Sequence, residues 1–288
     1  MPQIIDGKKI SAEIKEELKS RVSELKERGI TVTLAVIQVG NDPASGVYVG
    51  NKKKACEYLG IRSLAYELKE ETTEEELLQL IDELNDREDV NGILVQLPLP
   101  GHICEDRVIQ RISPQKDVDG FHPQSVGALC IGQPGFVSCT PAGIIQLLKR
   151  SGIEIEGKEC VVIGRSNIVG KPMALLLLRE NGTVTVAHSR TKNLKEITKR
   201  ADILVAAVGK PKMITAEYVK EGAVVIDVGI HRNADKKLCG DVDYDSVAQK
   251  CSAITPVPGG VGPMTIAMLM HNCVESAKQK EMEKQIEN

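Results

Sequence analysis

The sequence carries little net charge, contains no apolar run long enough to cross a membrane, and has no closely spaced cysteines. A formal net charge of −3 gives no electrostatic reason for binding nucleic acid or an anionic membrane surface. The first residues, MPQIID, also lack the profile of a signal peptide, so we expect no association with a membrane. These absences leave a small molecule as the expected partner.

The cysteines show neither a metal-binding nor a redox pattern. None forms a Cys-x-x-Cys pair or lies beside a histidine at metal-ligand spacing, and several fall in apolar runs. The eight cysteines are scattered along the chain, at 56, 104, 130, 139, 160, 239, 251 and 273. We therefore expect no metal site, and interpret them as free, mostly buried thiols of a cytoplasmic protein.

The composition is that of a soluble globular protein, with 42% hydrophobic and 27% charged residues over 288 positions. This length suits one large domain or two ordinary ones. A short strand and a helix over 11–28, ended by Gly29, open the chain. Alternating strands and helices are then predicted at 33–39, 44–58, 62–68, 73–87, 91–97 and 104–111. Such alternation predicts an α/β fold with a parallel sheet.

A less regular stretch at 113–139 marks the predicted domain boundary. The next helix begins with Thr140 as its cap and Pro141 in its first position, and runs to Lys149. Strands are predicted at 160–163, 183–188, 202–208, 223–229 and up to 258, and helices at 169–180 and 193–200. The last helix, from about Met264, follows the completed second sheet, so we expect it to pack back on the first domain. The predicted domains are 1–139 with 264–288, and 140–263.

The glycine-rich stretch at 159–172 is the strongest local signal. Its apolar strand ends at Gly164, and a helix follows with Pro172 in its first turn. This order presents helix N-terminal amides to a pyrophosphate. The spacing between Gly164 and Gly170 departs from the Gly-x-Gly-x-x-Gly fingerprint, so a purely structural turn is an equal alternative.

The end of the strand at 183–188 bears on the choice of dinucleotide. An acidic residue there would bind the ribose 2′-hydroxyl of NAD, but His188, Ser189 and Arg190 occupy this place. A hydroxyl and a guanidinium suit the 2′-phosphate of NADP, and Arg165 adds a second positive charge. The alternative is that Arg190 is a solvated loop residue.

The two later strands reach Gly209 and Gly229, where backbone can approach a flat ring closely. Ile230 would then lie near the nicotinamide. Packing in the core is an equally fair interpretation of Ile230.

Candidate substrate residues lie in the first domain. Tyr48 and Lys52 share one helix face at a separation of four residues, and a lysine so placed can exchange protons near neutral pH. The alternative is a solvated lysine face with Tyr48 in the core. Gln96 ends a buried strand, and Asp119 lies in a Gly- and Pro-rich loop, where its carboxylate can accept paired donors from a pterin. A structural Asx-turn is the alternative for either Asp117 or Asp119.

These residues belong to motifs that cover nearly the whole chain and resemble the bifunctional methylenetetrahydrofolate dehydrogenase/methenyltetrahydrofolate cyclohydrolase family. The matching pieces are Tyr48-x-x-x-Lys52, Val95-Gln-Leu-Pro-Leu-Pro100, Lys116-Asp-Val-Asp-Gly120, Cys139-Thr-Pro-x-Gly143, Gly164-Arg-Ser-x-x-Val-Gly170, His188-Ser-Arg-Thr191 and Pro256-Val-Pro-Gly-Gly-Val-Gly-Pro-Met-Thr265. The last, ten residues long, is the most specific.

The resemblance implies two α/β domains with a cleft between them, the second a Rossmann-like NADP-binding domain through which a homodimer forms. It implies hydride transfer from 5,10-methylenetetrahydrofolate to NADP, followed by hydration of the methenyl product to 10-formyltetrahydrofolate. The implied catalytic and folate-binding residues are Lys52, Tyr48, Gln96, Asp119, Pro258, Gly259 and Gly260. The implied cofactor residues are Gly164, Arg165, Ser166, Ser189 and Ile230, to which we add Arg190 and Thr140.

The sequence features also allow two rival functions. One is an NADP-dependent dehydrogenase of another substrate, similar to shikimate dehydrogenase, and the other is a dinucleotide-binding sensor without catalysis. The pterin-binding Asp119 and the Pro-Gly-Gly-Val-Gly-Pro string argue against the first, and intact Lys52, Gln96 and Asp119 argue against the second.

Overall fold

The computed structural model describes residues 1–41, 43–233 and 236–287. Its helices are α1 Gly7–Glu27, α2 Pro43–Leu59, α3 Glu74–Asp86, α4 Glu105–Arg111, α5 Pro123–Ile131, α6 Cys139–Arg150, α7 Gly170–Arg179, α8 Leu194–Thr198, α9 Tyr244–Val247 and α10 Val261–Glu287. Its strands are β1 Gln3–Ile4, β2 Thr33–Val39, β3 Arg62–Leu68, β4 Gly92–Val95, β5 Glu159–Ile163, β6 Thr183–Ala187, β7 Ile203–Ala206, β8 Val224–Asp227, β9 His231–Arg232, β10 Leu238–Cys239 and β11 Ala253–Ile254. Among the described helices, none combines the length and the apolar character that crossing a membrane requires.

The chain divides into two compact units. Unit 1 comprises Met1–Ala12 and Ser138–Thr265, and unit 2 comprises Glu13–Val137 and the chain from Ile266 onward. This division differs from the predicted one at the N-terminus. Residues 1–12 join unit 1 because β1 pairs in parallel with β11, a pairing between distant segments that no local pattern reveals.

Unit 1 is built on a six-stranded parallel sheet in the order β1-β11-β8-β7-β5-β6. The apolar residues of β5, β7 and β8 are almost entirely buried, as expected for parallel strands covered on both faces. Val161, Leu204 and Val225 belong to the same core cluster. Because the strands are parallel, the loops after β5, β6, β7 and β8 all leave the same edge of the sheet.

Unit 2 contains a three-stranded parallel sheet in the order β3-β2-β4. Its core joins residues of β2 and β4 to the buried face of α3, including Ile37, Ile81 and Ile93. The C-terminal helix packs on this unit, as predicted, because the side chain of Asn272 donates hydrogen bonds to the carbonyl of Val118, 2.8 Å away, and to that of Val137.

Most element types are as predicted, with β2 and β3 at their predicted bounds. The structure adds α5 within the stretch predicted to be irregular. His122 caps α5 by accepting a hydrogen bond from the Gln124 amide, and Pro123 begins it. The elements β9, β10 and α9 were not predicted either, since each has only two to four residues.

The predicted cap of α6 is wrong. Ser138 occupies the cap position and α6 begins at Cys139. The Thr140 hydroxyl instead shares a hydrogen bond of 2.8 Å with the Thr265 hydroxyl, which the last helix supplies from far along the chain.

Candidate active site

Lys52 and Gln96 form a buried polar pair in unit 2. Lys52 lies on α2 and is only 8% exposed, whereas Lys53 and Lys54 beside it are exposed. Its Nζ donates a hydrogen bond of 2.9 Å to Gln96 Oε1. The solvated-face interpretation therefore applies to Lys53 and Lys54 and not to Lys52.

Gln96 is held by the end of β4. Its backbone amide donates to the Ile37 carbonyl at 2.8 Å, which continues the strand pairing by one residue. Its side-chain Nε2 donates to the Leu97 carbonyl at 2.7 Å. This second bond turns the amide so that Oε1, an acceptor, faces the Lys52 amine.

Tyr48 precedes Lys52 by one turn of α2, so the two side chains leave the same face of the helix. Tyr48 is half-buried, and burial raises the pKa of its phenol. The phenol therefore keeps its proton at neutral pH and serves as a hydrogen-bond donor.

The two aspartates of the 116–120 loop have different surroundings. Asp117 is 2% exposed, and its carboxylate accepts hydrogen bonds from the amides of Phe121 and His122 and from the Ser125 hydroxyl. Burial, with a smaller contribution from the negative charge of Asp119, raises the pKa of Asp117 to about 6. The structural turn that the sequence left open for either aspartate is thus made by Asp117.

Lys116 anchors the same loop to α3. Its Nζ donates to the carbonyls of Leu84, Asn85 and Arg87, at 2.8, 2.6 and 2.7 Å, and so satisfies the last carbonyls of the helix. Burial lowers the pKa of Lys116 to about 8. Asp119, in the same loop, is half-buried.

In unit 1 the chain turns sharply between β5 and α7. Gly164 has a φ of +144°, and a Cβ there would lie 2.5 Å from the Ala207 carbonyl oxygen. A Cβ on Gly170 would overlap the Gly164 backbone, so both glycines of the unusual motif are required sterically. The Ser166 hydroxyl accepts from the amides of Val169 and Gly170, at 3.2 and 3.3 Å, and stabilises the start of α7.

A cavity of about 330 Å³ opens at the carboxyl edge of this sheet. Its polar lining includes two cations, Arg165 and Lys210, and the hydroxyls of Ser189 and Thr191, but no carboxylate among the described residues. The full lining is Ile163, Gly164, Arg165, His188, Ser189, Thr191, Leu194, Ala207, Val208, Lys210 and Met213. A hydroxyl and cations facing an apolar cavity suit the phosphorylated ribose and base of a dinucleotide.

The predicted cofactor residues do not all reach this cavity. Arg165 and Ser189 line it, but Arg190 is absent from the described lining. Arg190 is exposed, and its backbone amide donates to His188 Nδ1. Lys210 and Thr191 also line it but were not predicted as cofactor residues, although Lys210 directly follows Gly209 and Thr191 directly follows Arg190.

Ile230 is 43% exposed, so packing in the core does not explain it. Position 229, however, requires glycine for a reason other than close approach to a flat ring. A Cβ on Gly229 would lie 2.5 Å from Asp241 Oδ1, so this glycine lets the backbone close on a buried carboxylate.

The glycines of the 256–265 segment pack against the start of α1 within unit 1. The Gly259 carbonyl accepts from the Lys8 amide at 3.0 Å, and a Cβ on Gly260 would lie 2.6 Å from the Pro256 carbonyl oxygen. Pro258 is exposed at the tip of this turn. Of the described residues, no three His, Cys, Asp or Glu side chains cluster in a way that would hold a metal ion.

Two family models match the chain. Residues 5–119 match the tetrahydrofolate dehydrogenase/cyclohydrolase catalytic domain, and residues 138–281 match the NAD(P)-binding domain of the same family. The two matches together cover most of the sequence.

Relatives and solved structures agree with this assignment. The "Bifunctional protein FolD" of Lachnoclostridium phytofermentans is 79% identical, over 97% of this chain and 99% of that protein. The crystal structure of the bifunctional methylenetetrahydrofolate dehydrogenase/cyclohydrolase of Campylobacter jejuni superposes with a TM-score of 0.95 at 53% identity, covering 97% of this chain and 100% of that one. The Trypanosoma brucei enzyme, complexed with NADP cofactor and inhibitor, has a TM-score of 0.93 at 39% identity, covering 97% and 99%.

Proposed function

The chain belongs to the tetrahydrofolate dehydrogenase/cyclohydrolase family, and we propose that Lys52 and Gln96 perform the proton transfer of its hydrolytic step. The protein oxidises 5,10-methylenetetrahydrofolate to 5,10-methenyltetrahydrofolate with NADP, and hydrolyses the product to 10-formyltetrahydrofolate. Membership of this family excludes the two alternative functions, a dehydrogenase of another substrate and a sensor without catalysis.

The observation that carries the proposal is the buried hydrogen bond of 2.9 Å between Lys52 Nζ and Gln96 Oε1. This bond holds the amine in a fixed place at the end of β4. Tyr48, which stays protonated, donates to the substrate or to the attacking water from the same helix face. These three groups suffice for water activation without a metal.

In the hydrolytic step, a single group can act first as the base and then as the acid. Water adds to the methenyl carbon as the neutral Lys52 amine accepts one of its protons. Lys52 then returns that proton to N5 as the bond between N5 and the carbon breaks. The remaining hydroxyl proton leaves to solvent and a formyl group stays on N10.

The oxidative step asks less of the protein. NADP accepts the hydride that leaves the methylene carbon, and the two nitrogens that flank this carbon stabilise the resulting cation. The protein therefore contributes mainly by orienting the substrate. We assign this task in unit 2 to Asp119, whose carboxylate accepts a pair of parallel donors from the pterin ring.

The cavity of unit 1 is proposed to hold the adenosine end of NADP. Arg165, Lys210 and Ser189 provide two positive charges and a hydroxyl for the 2′-phosphate. A ribose without that phosphate would leave these donors unpaired, which disfavours NAD. Ile230, exposed after β8, is assigned to the nicotinamide end, and the 258–260 turn to the substrate.

A stopped assay tests the two activities. The protein is incubated with methylenetetrahydrofolate and NADP, and the methenyl and formyl products are separated and quantified. Formation of both, with Lys52→Met accumulating the methenyl product, supports the proposal. If wild-type protein forms the methenyl product and Lys52→Met still hydrolyses it at the wild-type rate, Lys52 is not the proton-transfer group.

We also propose a homodimer that forms through the edge of the unit 1 sheet. Strand β6 lies at this edge, with Val186 of β6 and Leu178 of the adjoining α7 exposed at 40% and 60%. An apolar edge strand is a template for pairing with a second copy. Sedimentation should give a dimer for wild type and a monomer for Val186→Lys with Leu178→Glu; a monomeric wild type would contradict it.

The cytoplasm is the proposed location because all eight cysteines are free. Fractionation of cells that produce the protein tests this, and recovery outside the cytoplasmic fraction would refute it.

A further inference from the structure

The carboxylate of Asp241, in unit 1, is fully buried and accepts four hydrogen bonds. Its Oδ2 accepts hydrogen bonds from the backbone amides of Val208 and Gly209, at 2.7 and 3.0 Å. Its Oδ1 accepts from the Lys210 amide at 2.9 Å and from His231 Nε2 at 2.7 Å. Three consecutive amides of one loop therefore converge on a single side chain, which makes a backbone nest around an anion.

The loop that Asp241 holds belongs to the cavity wall. Ala207, Val208 and Lys210 line the cavity together with Arg165 and Ser189. Asp241 itself is not part of the described lining, so its effect on a ligand passes through the loop. Gly209, with a φ of +67°, allows the chain to turn its amides inward.

A second buried carboxylate fixes Asp241. Asp227, the last residue of β8, accepts from the amides of Gly229, Asp241 and Val242, at 3.0, 2.9 and 3.0 Å. A Cβ on Gly240 would overlap the Asp227 carboxylate, so only glycine fits directly before Asp241. Burial, with a smaller contribution from the charge of the neighbouring Asp241, raises the pKa of Asp227 to about 6.

We propose that Asp241 is a positioning residue of the dehydrogenase, which holds the 207–210 loop in the conformation that binds NADP. This inference rests on the proposed use of the cavity for the dinucleotide. The groups assigned to hydrolysis, Lys52 and Gln96, belong to unit 2 and make no described hydrogen bond to this loop. Asp241 therefore separates the two activities, since its loss impairs oxidation and spares hydrolysis.

The decisive variant is Asp241→Asn, which keeps one side-chain oxygen but replaces the other with an –NH₂ group, so that the backbone donors on that side face a donor and lose their acceptor. Three quantities are measured: the NADP Kd by calorimetry, kcat and KM for oxidation, and hydrolysis of added methenyltetrahydrofolate. Because a displacement of about 1 Å can cost about a hundredfold in rate, we expect the Kd and KM for NADP to rise at least about tenfold. Hydrolysis should stay within about twofold of wild type.

Asp243→Asn is the matched control. It makes the same chemical change two residues further on, at a partly exposed side chain whose described ion pair is a distant one with Lys212, 3.8 Å away. The NADP Kd of this variant should equal that of wild type. An unchanged Kd in Asp241→Asn, or an equal loss of both activities in it, would overturn the inference.

His231→Ala decides the matter if Asp241→Asn does not fold. It removes one of the four donors and leaves Asp241 in place. Amide hydrogen exchange at 208–210 should accelerate and the NADP Kd should rise about threefold or more, because the carboxylate loses its contact with β9. Unchanged exchange and Kd would overturn the inference. A wild-type protein that does not bind NADP would instead refute the proposed function.

Discussion

Lys52 on α2 and Gln96 after β4 are joined by a hydrogen bond of 2.9 Å across 44 positions of sequence. The pair unites a helix and a strand end of unit 2, and it distinguishes Lys52 from the two exposed lysines that follow it. A polar group at a buried site is costly unless it is hydrogen-bonded, so Gln96 both stabilises the Lys52 amine and fixes its position.

Lys52→Met should abolish hydrolysis and leave oxidation partly intact, because only hydration needs proton transfer. General acid–base catalysis contributes about 10²- to 10⁴-fold, which sets the expected loss of cyclohydrolase kcat. Lys53→Met, at the exposed neighbouring position, should behave as wild type. Equal loss of both activities in folded Lys52→Met would show that Lys52 only shapes the site.

Asp119→Asn and Asp117→Asn should differ in kind. The first is expected to weaken folate binding by about 1.5–3 kcal/mol, the value of a hydrogen bond to a charged group, with little change in stability. The second should lower stability, because Asp117 accepts three hydrogen bonds within its own loop. Calorimetry with folate and urea unfolding of both variants measure the two effects. Folate affinity that is unchanged in Asp119→Asn would remove Asp119 from the site.

Asp117 should also make stability depend on pH. Its folded pKa of about 6 lies above the value of about 3.9 for an exposed aspartate, so the folded state binds the proton more tightly. The contribution of this group to stability is therefore complete below pH about 4 and is lost as the pH rises through about 6. Urea unfolding from pH 4 to 7 should show wild type losing stability relative to Asp117→Asn over this interval. A difference between the two proteins that does not change with pH would count against the raised pKa.

Arg165→Ala should weaken NADP binding and leave NAD binding nearly unchanged. Arg165 lines the cavity and pairs with a 2′-phosphate that NAD lacks. Arg190→Ala is the matched control, since the exposed Arg190 lies outside the described lining and should alter little. The ratio of kcat/KM with NADP to that with NAD measures both. A larger fall in this ratio for Arg190→Ala than for Arg165→Ala would return the phosphate contact to Arg190.

The sequence predicted the repeated strands and helices well where the pattern is local. The strands β2 and β3 were found at their bounds because an unbroken apolar or β-branched run determines a buried strand. The cap of α6 was misassigned for the opposite reason. Thr140 is a good capping residue, but tertiary structure engages its hydroxyl with Thr265 and leaves Ser138 at the cap position.

The same distinction between local pattern and tertiary contact applies to the candidate site. Lys52, Gln96, Asp119 and the glycine turn could be proposed from residue type and spacing, since their motifs are short and contiguous. Which of Asp117 and Asp119 makes the structural turn could not be predicted, because it depends on which carboxylate the Ser125 hydroxyl and the amides of residues 121 and 122 reach.

By itself, the sequence determined the class of fold and marked Lys52 and the glycine turn as candidate site residues, because periodicity and motif spacing are written within short segments. Only the tertiary structure decided that Lys52 is buried beside Gln96, that Gly229 makes room for a carboxylate, and that Asp241 binds the amides of residues 208–210. Asp241 lies 31 to 33 positions from the amides it binds. Hydrogen bonds over that distance exist only once the parallel strands have brought their carboxyl ends to one edge of the sheet.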